Sequence, residues 1–217
     1  MDQLFIDSVQ HSFGSKAVLS NVYLKCDVGE IIGVLGRNGS GKSTLLKIIF
    51  GAISPNHKHL KIDGQLVEKG FLTQQIAYLP QSFFIPPYIK LKVALALYTN
   101  FYRQQLLDLA IIKNQLNTKI AELSGGSRRF VEALLIIYSD AKFVLLDEPF
   151  SQLSPQLIEE LKIHFKAMLP YKGFIVTDHY YQQIVDISSQ IVLINHGCNY
   201  AINTTEDLIL HGYLPNR

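Results

Sequence analysis

Two kinds of apolar pattern take turns along the chain, and their alternation predicts its elements. Short unbroken apolar runs recur: EIIGVL ahead of Gly36, IAYL ahead of Pro80, FVLLD at 143–147, GFIVT at 173–177 and QIVLIN at 190–195. Each has the length and composition of a strand buried on both faces, as in a parallel sheet. Between them lie stretches with helical spacing: TLLKIIF after Ser43, RRFVEALLIIY after Ser127, PQLIEELKIHFKAML with Ser154 and Pro155 as its start, YYQQIVD, and a last one in TTEDLILHGYL. Strand and helix in turn predict an α/β fold, a mostly parallel sheet with helices on its faces.

Two regions depart from that rhythm. At the start, LFIDSVQ and NVYLKCDV read as antiparallel strands joined by the FGSKAVLS turn, and HLKIDGQLV reads as a hairpin turning at Asp63 and Gly64. After residue 81, SFFIPPY is a proline-interrupted apolar loop, and KLKVALALYTNFYRQQLLDLAIIKNQL carries helical residues without strand alternation. The expected organisation is a single domain over 1–217. Its core spans 1–81 and 125–217, with an antiparallel β region, and an α-helical subdomain is inserted at about 82–124.

Chemistry enters at GRNGSGKST, Gly36 to Thr44: Gly36, Arg37, Asn38, Gly39, Ser40, Gly41, Lys42, Ser43, Thr44. Standing between a strand and a helix, this is a P-loop. Its glycines allow backbone conformations in which successive N–H groups point at an anion. The helix that follows aims its positive end at the same place, so the run predicts a phosphate cup. Lys42 can reach the β- and γ-phosphates, and the Ser43 hydroxyl can ligate Mg²⁺. Opposite the cup, the FVLLDEP run places two carboxylates at the carboxyl end of a buried strand, where α/β sheets bind ligands. Asp147 is expected to hold the metal through water. Glu148, on the other side of an extended chain, is expected to accept a proton from an attacking water. A second phosphate-recognition run, LSGGS at 123–127, offers the Ser124 hydroxyl, close backbone approach at Gly125 and Gly126, and the amino end of a helix.

P-loop, carboxylate strand and LSGGS together resemble the nucleotide-binding subunit of ATP-binding cassette (ABC) transporters, over nearly the whole chain. The resemblance implies a RecA-like P-loop NTPase fold, ATP and Mg²⁺ as ligands, and ATP hydrolysis as the reaction. It also implies a head-to-tail dimer, with itself or a homologous chain, in which each LSGGS caps the γ-phosphate held by the partner. Three more positions match the family's pattern. Gln81 resembles the glutamine that senses Mg²⁺ and the attacking water, His179 the histidine that contacts the γ-phosphate, and Phe13 the aromatic that stacks on adenine. Two positions depart from it: Ser154 stands where an aspartate ties the two ATP sites together, and Ser127 where glutamine is common. Phe83, Phe84 and Tyr88, exposed-looking aromatics, fall where the family docks a helix of its membrane subunit, and filling the core of the helical subdomain is the equal alternative for them.

Composition narrows the setting. The net charge is +2 with dispersed basic residues, so no nucleic-acid stripe is marked and no nucleic-acid partner is expected. Cys26 and Cys198 lie far apart with no metal-ligand spacing, the pattern of reduced, packed thiols. No apolar run approaches the length of a membrane span, and the amino end lacks a signal segment. The resemblance therefore implies a cytoplasmic subunit, peripheral to the inner face of the cell membrane through a separate transmembrane permease. An alternative within the same chemistry is a non-transport ABC ATPase acting on a soluble partner, of the iron-sulfur cluster assembly type. A nucleotide-binding regulator without turnover fits less well, because Glu148 is intact.

Overall fold

A computed structural model describes residues 2–215, so the ends of the expected ranges, residue 1 and residues 216–217, lie outside the described residues. The strands in chain order are β1 (Gln3–Phe13), β2 (Lys16–Asp27), β3 (Ile31–Leu35), β4 (His57–Ile62), β5 (Gln65–Leu66), β6 (Ile76–Leu79), β7 (Phe143–Asp147), β8 (Gly173–Thr177), β9 (Gln190–Asn195) and β10 (Cys198–Ile202). The helices are α1 (Lys42–Phe50), α2 (Leu91–Tyr98), α3 (Arg103–Asp108), α4 (Ala110–Lys113), α5 (Gly125–Ile137), α6 (Pro155–Met168), α7 (Tyr181–Ile187) and α8 (Thr205–Leu210).

The five unbroken apolar runs become β9, β3, β8, β7 and β6, which lie side by side and parallel. Their burial on both faces explains the lack of alternation. Along β7, Leu145 packs in the cluster that contains Leu45, Leu46, Ile48 and Ile49 of α1. Val144 and Leu146 pack in the opposite cluster, with Phe130 and Leu134 of α5 and Leu161 and Phe165 of α6. The remaining strands, β5-β4-β1-β2 and β10, extend the sheet on the β9 side and pair antiparallel, except for a single parallel bridge between Cys198 and Asn21.

One local expectation is corrected. The FGSKAVLS segment is mostly strand: Phe13 pairs with Lys16, leaving only Gly14 and Ser15 to turn, because β1 and β2 run longer than their apolar cores. The stretch with helical residues after residue 90 forms three short helices, α2, α3 and α4. It breaks at residues 99–102 and at Leu109, whose φ −71° and ψ 128° are extended. The hairpin at Asp63 and Gly64 forms as read, and Ser154 caps α6 with Pro155 in its first turn. No helix among the described residues is long and apolar enough to cross a membrane.

Candidate functional site

The carboxyl ends of β3, β6, β7 and β8 lie together because these strands are parallel and adjacent, and each run ends in a polar residue singled out above. The P-loop leaves β3, Gln81 follows β6, Asp147 and Glu148 end and follow β7, and Asp178 and His179 follow β8. Asn38, Gly39, Lys42, Gln81, Glu148 and His179 line one cleft of about 440 Å³. A second groove, about 400 Å³, runs beside it between the P-loop and the β1–β2 turn. It is lined by Arg37, Asn38, Gly39 and Ser40 on one wall and by Lys16, Ala17 and Val18 on the other. Phe13, half-exposed, stands at the end of the same hairpin, its ring perpendicular to that of His11 with the ring centres 4.6 Å apart.

Gly39 and Gly41 have φ of 79° and 107°, a left-handed backbone that L side chains rarely adopt. At Gly41 a Cβ would also meet Leu19 at 2.7 Å, so this turn into α1 requires glycine twice over. Lys42 is buried and donates to the carbonyls of Gly36 at 2.7 Å and Arg37 at 3.3 Å. Burial pushes its ammonium below the usual lysine range, while the carboxylates of Glu148, Asp147 and Asp178 pull the other way. The Ser40 hydroxyl is buried with no partner among the described residues, an orphaned group of the kind a phosphate oxygen would satisfy. Arg37 reaches away from the cup and donates to the Gly212 carbonyl at 2.6 Å, and Thr44 continues α1.

Asp147, fully buried, accepts three hydroxyls: Ser43 and Thr177 at 2.9 Å and Tyr78 at 3.2 Å. The Ser43–Asp147 pair is an oxygen donor set suited to a hard cation such as Mg²⁺. Strand alternation predicts that Glu148 diverges from Asp147. The strand instead ends at Asp147, and Glu148 adopts φ 54°, so a left-handed turn swings its carboxylate toward the cleft. Such a backbone in a residue with a Cβ is strain held by its surroundings, here the bond from Glu148 N–H to the Thr177 carbonyl at 2.8 Å. The Gln81 amide donates to Glu148 Oε2 at 2.8 Å, and His179 Nδ1 lies 3.5 Å from the same oxygen. Asp178 is fully buried and accepts the N–H groups of Phe150 and Tyr180, both at 3.0 Å. Burial still pushes its carboxyl above the usual range.

Ser124, Gly125 and Gly126 do not line the cleft. They begin α5, with Ser124 accepting the Ser127 N–H at 3.2 Å and donating its hydroxyl to Ser127 Oγ at 2.9 Å. The Ser127 side chain is thus engaged within its own cap. Gly126 has the Gln152 carbonyl only 2.9 Å from where a Cβ would stand, so the motif lies against the loop between β7 and α6. At the end of that loop Ser154 accepts the Leu157 N–H at 3.4 Å. Of Phe83, Phe84 and Tyr88, only Tyr88 is strongly exposed. Phe83 is half-buried under the Arg128 guanidinium at 4.3 Å, and Phe84 packs edge-on to Tyr98 at 5.3 Å.

Four residues of the site escaped the sequence reading: Tyr78, Thr177, Asp178 and Arg129. The first three lie within three residues of Gln81 or His179, and the acid beside His179 is a usable signal. Arg129 gave none, since a basic residue near a helix start ordinarily reads as solvated, yet it is 1 % exposed.

The chain is similar to known proteins over most of its length. The sequence model of the ABC transporter family matches residues 19–151. The chain is 28% identical to the lipopolysaccharide export system ATP-binding protein LptB of Haemophilus influenzae, over 96% of this chain and 93% of that protein. It is 30% identical to the zinc import ATP-binding protein ZnuC of Psychrobacter cryohalolentis, over 90% of this chain and 81% of that one. Among solved structures, an ATP binding subunit of an ABC transporter superposes with a TM-score of 0.85 at 23% identity, covering 99% of this chain and 95% of its own. With the P-loop, the carboxylate strand and the LSGGS helix in one fold, the chain belongs to the ABC transporter family.

Proposed function

We propose that the ATP which this ABC transporter subunit binds and hydrolyses is held by residues 36–44 and cut by Glu148, with Gln81 and His179 orienting the water. The observation that carries the reading is the convergence of Lys42, Gln81, Glu148 and His179 on one cleft beside the P-loop. Backbone N–H groups of the cup and the Lys42 ammonium take the β- and γ-phosphates, and Phe13 stacks on the adenine at the end of the neighbouring groove. Mg²⁺, when bound through Ser43, Gln81 and a water on Asp147, supplies neutralisation of phosphate charge. Glu148 takes the proton from water as its oxygen bonds to the γ-phosphorus. The bond from that phosphorus to the bridging oxygen breaks, leaving ADP and inorganic phosphate.

The Ser124–Gly126 turn faces a different cleft, that of a second ATP-binding subunit set head to tail. ATP then closes the dimer by touching both halves, and hydrolysis reopens it. Transmission to a separate membrane subunit runs through an apolar groove of about 400 Å³ between the core and the helical subdomain at about 82–124, with Phe50, Phe71, Tyr78, Pro80, Phe84 and Tyr98 on its walls. That partner holds the chain at the inner face of the membrane. Glu148→Gln tests the reading: it keeps ATP binding, lowers hydrolysis by about 100-fold or more and accumulates an ATP-bound dimer in size-exclusion chromatography. Normal hydrolysis by that variant refutes the assignment.

A further inference from the structure

The sixth residue of LSGGSRR-F, Arg128, is partly buried on α5, and the seventh turns fully inward. Arg129 is 1 % exposed, and its guanidinium donates to three backbone carbonyls on two different strand ends. One nitrogen reaches Pro80 at 2.7 Å, and another reaches Asp147 at 2.5 Å and Glu148 at 2.9 Å. Pro80 immediately precedes Gln81, so one planar fork spans the backbone carrying both members of the Gln81–Glu148 hydrogen bond at 2.8 Å. Among the described residues no carboxylate bonds to the guanidinium; its two terminal nitrogens are committed to carbonyls, and its buried Nε has no partner there. The next turn of α5 holds the far side of the same loop. Glu132, fully buried, accepts the N–H groups of Phe84 and Ile85, both at 3.3 Å, while Arg128 donates to the Ile85 carbonyl at 2.8 Å and to Glu132 at 3.2 Å. Gln81 thus sits in a short arch, residues 80–85, pinned at both ends by the helix that begins with LSGGS.

We infer that Arg129 is a positioning residue for hydrolysis: it sets the Gln81 amide against the Glu148 carboxylate, and so governs the chemical step rather than nucleotide binding. The inference rests on the site reading above. Its physical basis is that Glu148 leaves β7 through a left-handed turn with φ 54°, whose own carbonyl is one of the three that Arg129 holds. Release of that carbonyl removes one of the turn's anchors, leaving the Glu148 N–H bond to Thr177 and the Ser151 N–H bond to the carbonyl, and lets the carboxylate shift against Gln81. Among the described residues the P-loop has no direct bond to Arg129 and is linked to it only through Asp147, whose carboxylate accepts from Ser43, so ATP affinity is affected less than the chemical step.

Arg129→Lys offers a single point donor that cannot span both strand ends. In the purified full chain with Mg²⁺, its affinity for a fluorescent ATP analogue stays within threefold of wild type, while kcat falls by about 10- to 100-fold, the scale of a misplacement near 1 Å. Gln81→Ala, a change at an exposed side chain, lowers kcat as well, and the double variant is no slower than the slower single one, because both remove the same contact. Retention of kcat within twofold by Arg129→Lys, an affinity loss that matches the kcat loss, or additive losses in the double variant overturns the inference. Should position 129 variants fail to fold, nitrogen NMR of the wild-type guanidinium decides: slow rotation and exchange protection support the clamp, and rapid averaging overturns it. Glu148→Gln separates this inference from its premise. Full activity there sinks the site reading, whereas a dead Glu148→Gln beside an active Arg129→Lys sinks only the clamp.

Discussion

Lys172 offers the sharpest physical test of how the site's scaffold is held. It stands one residue before β8, the strand that delivers Thr177 and His179, and is 1 % exposed. Its ammonium donates to the carbonyls of Ser139 and Ala141, just past α5, and lies 5.1 Å from the Tyr102 ring centre. Burial pushes the group from its ordinary 10.5 down to about 8, with Asp140 opposing. Below about pH 8 the native state keeps the proton at a cost. Between about 8 and 10.5 the native lysine is neutral while the unfolded chain's lysine is still charged. The unfolded state then binds more protons, so stability rises with pH through that window. At about 1.4 kcal/mol per tenfold change in proton affinity, the full rise is about 3 kcal/mol.

Lys172→Met keeps the volume and abolishes the titration, but strands two buried carbonyls at about 1–3 kcal/mol each. At pH 7 that loss is largely offset by removal of the buried charge, leaving a net destabilisation of roughly 0–3 kcal/mol. By pH 10 the gap between wild type and variant widens by roughly 2–3 kcal/mol, because only the wild type gains. Urea unfolding of both proteins at pH 7, 8, 9 and 10 reads this directly, since distant titrations cancel in the difference. A gap that stays constant with pH refutes the reasoning, and with it the view of Lys172 as a desolvated ammonium.

Three further outcomes follow from the same geometry. Lys42→Ala weakens ATP binding by about 10- to 100-fold, the worth of a charge-assisted bond to phosphate; calorimetry returning an unchanged Kd contradicts it. Ser154→Ala lowers stability by about 1 kcal/mol in thermal unfolding through loss of the α6 cap, whereas Ser154→Asp keeps the cap within a few tenths; equal melting of all three proteins removes the capping account. Should Ser154→Asp also leave the ATPase rate and its cooperativity unaltered, the departure at this position carries no functional weight. Phe84→Ala opens the apolar groove and reduces co-purification of the cognate membrane subunit severalfold, in line with loss of a buried aromatic anchor; intact assembly with an intact fold removes the groove from the interface.

What the sequence determined by itself was the chemistry that depends on neighbours along the chain. The P-loop is legible because its strand, glycines, lysine and helix are contiguous. The same holds for the Asp147–Glu148 pair at the end of a fully apolar run, and for the hairpin at Asp63 and Gly64. Local backbone physics writes those patterns: a missing Cβ where φ must be positive, an unbroken apolar run where both faces are covered. Tertiary structure alone decided which distant groups meet. Asp147 collects hydroxyls from β6, β8 and α1 because parallel neighbours bring their ends to one edge. Arg129, two positions beyond a serine-rich cap, looks in sequence like any solvated base. Only the packing of α5 under the ends of β6 and β7 turns it inward, since a helix periodicity says which residues share a face but not what that face will meet. The left-handed turn at Glu148 was invisible for the same reason: its strain is held by a bond to β8, some 30 residues away.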